Sequence, residues 1–186
     1  MSVESTIIVT LRTIDIRPGE RANLIDLRSQ LRAAQWDVTL GPTRHAYFTI
    51  RLAEGLRAID GGRLIDSEGR VGAASISGKA ARWVDCSGPG PHGSWAGIAA
   101  FPFPSVTEAP WVVFDWGTLT LNPFLRDART LRRGESLDLG LRVVVHDGDA
   151  AGAGVAELHE QFVGNSEATD GIGAGGARLA TNGGSR

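Results

Sequence analysis

Among the acidic and histidine side chains of this sequence, three are the candidates for moving protons: Asp85 in "ARWVDCSG", Asp115 in "WVVFDWG" and His146 in "RVVVHDGD". Carboxylates and imidazoles exchange protons with a bound molecule near neutral pH. Aromatic and cationic groups accompany them. Trp83, Trp95, Trp111 and Trp116 fall within one third of the chain, and Arg51 and Arg82 can supply hydrogen bonds. Aromatic faces that stack on sugar rings, beside polar groups that bond hydroxyls, are what a carbohydrate site needs. The first reading is therefore acid–base work by Asp85, Asp115 or His146 on a small carbohydrate-like ligand. In the alternative, the tryptophans are core and the chain is a non-catalytic binding or structural module.

Other chemistries find less support. The histidines His45, His92, His146 and His159 have no i, i+4 or H-x-H spacing, so no metal site is expected. "HDGD" holds His146, Asp147 and Asp149 but lacks the distal Glu of a calcium loop. A turn with Asp149 capping a helix accounts for it. Cys86 is the only cysteine, and the adjacent Asp85 works against a reactive thiolate, with or without the nearby His92. "GPGPHG" lacks the Lys and following helix of a phosphate loop. No cofactor is expected. Trp83 and Asp85 share a face of their strand. Either Trp83 carries Asp85 into a concave site, or Asp85 bonds the turn backbone of "SGPG".

The elements that must position these residues alternate with period two. In "SLDLGLRVVVHDG", Leu137, Leu139, Leu141, Val143 and Val145 fall on one face and are expected to be buried. "NLIDLRSQL" and "YFTIRLA" alternate in the same way, and "SWAGIAAF", "PWVVFDW" and "TLTLNPF" are further strand candidates. Turn signals such as "RPGE", "DGG", "SEG" and "RRGE" separate them. The pattern predicts an all-β fold, an antiparallel β-sandwich over residues 1–164, with one C-terminal helix from Asp149 to Val163 ended by Gly164. The Gly-rich stretch 165–186 is expected to be a disordered tail.

At 186 residues and 42% hydrophobic, the chain suits one globular domain. A net charge of −2 gives no electrostatic reason for nucleic acid or an anionic membrane as partner. The N-terminal stretch has no basic region followed by a long apolar run, and no stretch approaches the ~20 apolar residues that cross a bilayer. The expectation is a cytoplasmic, soluble protein.

Several stretches together resemble a bacterial family labelled methane oxygenase PmoA: "YFTIRLAEGLRA", "GGRLIDSEGRVG", "GKAARWVDCSG", "WAGIAAF", "DWG", "NPF" and "LRRGESLDLGLRVVVHDGDA". The resemblance covers about residue 20 to residue 163. It implies a sandwich like those of carbohydrate-active proteins and a role related to carbohydrate metabolism. Methane oxidation, the label's literal meaning, would call for membrane helices and metal ligands that this sequence does not show. The resemblance also implies a ligand pocket lined by Trp83, Asp85, Arg51 and Trp111. Members carry an N-terminal half with a His-His-Arg-Gly stretch, so the chain is expected to be the C-terminal portion of that unit. Its uncovered sheet edges would then meet an upstream polypeptide or a second copy in a homo-oligomer. Three departures favour the non-catalytic alternative. Pro102-Phe103-Pro104-Ser105 replaces Asp-His-Pro-Ser, Val112–Phe114 replaces a His and an Arg after Trp111, and His45 stands where relatives have an acidic residue.

Overall fold

In a computed structural model, residues 6–90 and 93–173 are described, with side chains up to 165. Five strands come first: β1 (Ile8–Arg17), β2 (Ala22–Ala33), β3 (Val38–Leu40), β4 (Phe48–Arg51) and β5 (Arg63–Asp66). The short helix α1 (Ala73–Ile76) leads into β6 (Val84–Pro89), β7 (Trp95–Pro102), β8 (Trp111–Phe114) and β9 (Thr118–Leu121). Then follow β10 (Arg129–Leu131), β11 (Ser136–Asp147) and the helix α2 (Val155–Gly173). All named strand pairs are antiparallel. They form a six-stranded sheet in the order β1-β2-β11-β7-β6-β5, a three-stranded sheet β4-β9-β8 and a two-stranded ribbon β10-β3. The expected all-β sandwich is the fold found.

The main core lies between the larger sheet and the three-stranded one. Leu31, Val84, Cys86, Leu137, Leu139, Leu141 and Val143 meet Trp111, Val113, Leu119 and Leu121 there. Period-two patterning places these residues, because alternate side chains of a strand share a face. β11 departs from the simple in–out expectation. Leu137, Leu139, Leu141 and Val143 are buried as expected, while Val145 is only half-buried. Val144 and His146, on the opposite face, are buried as well. That face is covered: Val144, Ala99 and Phe101 pack with Ala153, Val155 and Phe162 in a second, smaller core.

Asp26 of β2 ties the sheet's edge to its centre. Its buried carboxylate accepts from Arg142 Nε at 2.6 Å and Nη2 at 2.8 Å, and from Arg17 of β1. The Arg142 guanidinium lies 4.4 Å from the centroid of the Phe162 ring.

The C-terminal helix differs from the expectation at both ends. Gly154 takes φ +69°, in the left-handed region, so residues before Val155 form a turn rather than helix. Asp149 caps that turn, its Oδ1 accepting from the Gly152 N–H at 2.8 Å. Gly164 does not end the helix. Nothing lies within 4 Å of where its Cβ would be, and a single exposed glycine costs a helix only about 1 kcal/mol. Residues 165–173, assigned to a tail, are therefore helical, and 174–186 lie outside the described residues. No helix of the described residues is long and apolar enough to cross a membrane.

Candidate functional site

Two of the three candidate acid–base residues meet, by a route across an intervening strand. Val84 and Cys86 turn into the main core, which places Asp85 and Ser87 on the opposite face of β6. On β11 the same face carries Val144 and His146. β7 runs between them, with Gly97 opposite both His146 and Ser87, and Ala99 opposite both Val144 and Asp85. Two strand spacings of about 4.8 Å separate the outer backbones, so a side chain bridges them only where the middle strand leaves room. Gly97 leaves it. A Cβ there would lie 2.4 Å from His146 Cε1 and 2.7 Å from Nε2. The imidazole occupies that space and places Nε2 2.7 Å from Asp85 Oδ2.

Both side chains of this pair are fully buried. His146 Nδ1 faces the carbonyl of Asp147 at 3.3 Å. With an acceptor at each nitrogen, the ring is suited to hold both protons, donating Nε2–H to Asp85 and Nδ1–H to the carbonyl. Burial pushes the imidazole down. The hydrogen bond and charge of Asp85, helped by Asp147, outweigh it, so the net shift is upward from the ordinary value of 6.5. Asp85 Oδ1 and Ser87 Oγ are buried without a hydrogen-bond partner among the described residues. Asp85 thus neither enters a concave site nor bonds the "SGPG" backbone: its partner is the His146 side chain. A general acid or base has to reach the proton it transfers, and this pair is closed to solvent. What the geometry supports is a polar clasp joining β6 to β11. Cys86 points the other way, and burial together with the Asp85 charge raises its thiol pKa strongly.

The other candidates lie elsewhere. Trp111 is fully buried in the main core, its Nε1–H donating to the Ala81 carbonyl at 3.2 Å. Trp83 is half-buried on the far face of the six-stranded sheet, against the second core. Arg51 is exposed on the three-stranded sheet. The pocket expected from Trp83, Asp85, Arg51 and Trp111 is not assembled, because alternation sends these side chains to different faces of two sheets. Asp115 is exposed at the β8–β9 hairpin, where its Oδ1 accepts from the Ala73 N–H of α1 at 3.4 Å. The Asp147 and Asp149 environment is the turn described above, and among the described residues no three His, Cys, Asp or Glu side chains form a metal-binding group. His92 lies outside the described residues.

Arg51 has company that the sequence reading did not assemble. On the outward face of the three-stranded sheet, Arg51 is opposite Thr118, which is opposite Phe114, and Thr49 is opposite Thr120. The hairpin carries Trp116 back over this face. The Phe114 and Trp116 rings stack, with centroids 5.2 Å apart and planes at 19°, and they remain 41% and 44% exposed. The Arg51 guanidinium lies 5.3 Å from the Trp116 centroid. Thr49 and Thr120 hydroxyls are 3.1 Å apart, and Arg44 Nε donates to His45 Nε2 at 3.1 Å. Arg44, His45, Thr49, Phe114, Trp116, Thr118 and Thr120 bound a shallow groove of about 520 Å³, within the range of small-molecule sites. The available signal was the polar face of two short strands, Thr49/Arg51 and Thr118/Thr120, flanking an aromatic pair two residues apart.

A family model described as "Family of unknown function (DUF6807)" matches residues 3–160. No curated protein and no solved structure matches the chain. This corrects the resemblance to the methane oxygenase PmoA family. The stretches that carried the resemblance are short strands joined by Gly turns, and such units recur in unrelated sandwiches.

Proposed function

The chain belongs to this family of unknown function, and we propose that it binds a carbohydrate-like ligand on the open face of its three-stranded sheet, without turning it over. The observation that carries this reading is the exposed Phe114–Trp116 stack with Arg51 beside it. Bare rings on a sheet surface suit the C–H face of a sugar, and threonine hydroxyls and guanidinium groups suit its hydroxyls. Arg44 lines the groove and Arg51 lies against its Trp116 ring, while among the described residues no carboxylate lines it, which favours a sugar acid over a neutral sugar. The acid–base alternative is weaker. Glycoside hydrolysis uses two carboxyl groups flanking one bond, whereas Asp85 is enclosed with His146 and Asp115 is engaged at α1.

Calorimetric titration with oligogalacturonate and with a neutral galactose oligomer tests this. The expected result is saturable binding of the acidic oligomer, weaker binding of the neutral one, and loss of both in Trp116→Ala. Failure of both oligomers to bind, or binding that survives Trp116→Ala, overturns the site.

A further inference from the structure

β1 pairs with β2 along its whole length, from Ile8 opposite Ala33 to Arg17 opposite Leu24. Among the described residues no strand lies on its other side. Unpaired edge strands are ordinarily kept short, bulged or lined with charge. This one is ten residues long and regular, and beside its three charges, Arg12, Asp15 and Arg17, it exposes aliphatic side chains on both faces. Val9 and Leu11 project on one face, Ile14 and Ile16 on the other, with exposures from 49% for Val9 to 65% for Ile16. A helix or loop laid on the sheet would cover one of these faces. Another strand continuing the sheet covers both.

We propose that β1 is a dimer interface, where the β1 strands of two copies pair antiparallel about a two-fold axis normal to the sheet. The two six-stranded sheets then join into one. The symmetry sets each face beside the same face of the copy, so even residues meet even and odd meet odd. Charge limits the register, because Arg12 opposite Arg12, or Asp15 opposite Asp15, is repulsive. The register with Ile14 opposite Ile14 is one of those that avoid both, and it is the one proposed. It sets Arg12 opposite Ile16, whose side chain can lie along the arginine stem, and Leu11 opposite the stem of Arg17. Thr13 then faces Asp15, where a hydroxyl can donate to a carboxylate.

Sedimentation velocity of the full chain tests this. A dimer is expected, and Ile14→Lys/Ile16→Lys is expected to sediment as a monomer with an unchanged circular dichroism spectrum. A wild-type monomer across the soluble concentration range overturns the proposal, as does a dimer that survives the double substitution. Ile14→Cys provides a check that does not rely on weakening the strand. The register predicts an intermolecular disulfide on mild oxidation, and buried Cys86 does not compete. No cross-linked species under those conditions overturns this register.

Discussion

The Asp85–His146 clasp and the Phe114–Trp116 face use the residue types of a sugar-processing site, and the fold gives them opposite surroundings. In the clasp the charged groups point inward, bond each other and lie beneath the second core. On the open face the rings are bare and the guanidinium groups border solvent. The first arrangement directs its interaction energy to holding strands together. The second leaves binding capacity unspent. Residue chemistry is similar in the two regions, so solvent access is what separates their roles.

The largest effect that would sharpen this contrast is expected from Asp85→Ala. It leaves the buried His146 Nε2 without its partner, and removing one member of a buried pair costs about 3–5 kcal/mol. Urea unfolding should register that loss, and a change below about 1 kcal/mol would break the comparison. Leu141→Ala, fully inside the main core, should fall in the similar range of about 2–5 kcal/mol and calibrates the measurement. Gly97→Ala comes next, at about 1–3 kcal/mol, because the added methyl drives the His146 ring off Asp85. Its signature is a downward move of the His146 titration followed by NMR.

The pH dependence separates two buried histidines. The folded-state pKa of His146 lies above 6.5, so its stabilisation is complete below the unfolded value and lost as pH rises through the folded one. His159 is shifted the other way, first by burial and then by the Arg82 charge, with Glu160 opposing. Its ring packs edge-on to Phe101 at 5.3 Å. Stability should therefore fall as pH drops below 6.5, until the folded His159 also protonates. His146→Gln should flatten the alkaline side of the stability profile and His159→Leu the acidic side. An alkaline decline unaltered in His146→Gln would remove the clasp from the account. The smallest effect on stability is expected at Trp116→Ala, within about 0.5 kcal/mol. The same substitution should abolish detectable binding of a sugar acid, because it removes a stacking surface.

The fold was more legible than the site. The alternation of β11 is strong because its inner face packs on the second sheet, and that period is local in sequence. β1 stood out less, since Ile8, Ile14 and Ile16 fall on one face and Val9 and Leu11 on the other. The shared face of Trp83 and Asp85 could be read from alternation, but the partner of Asp85 could not. His146 is 61 positions away, and the contact depends on β7 lying between β6 and β11 with a glycine at the crossing. Arg51 was picked out, while its neighbours on the open face come from β8, β9 and the hairpin between them. Which strands adjoin is a tertiary fact that no local period encodes.

Sheet order also bears on how the chain reaches its native state. β2 is made well before its second neighbour, β11. Asp26 and Arg142, whose ion pair locks these strands, stand 116 positions apart. Closing so long a loop precedes any reward from the contacts it brings, which slows folding into the millisecond-to-second range typical of non-local β topologies. The β1–β2 hairpin must therefore wait on the ribosome with the β2 edge unpaired. Production of this protein should respond to translation rate and to chaperones that shield nascent strands, more than to the stability of the finished sandwich.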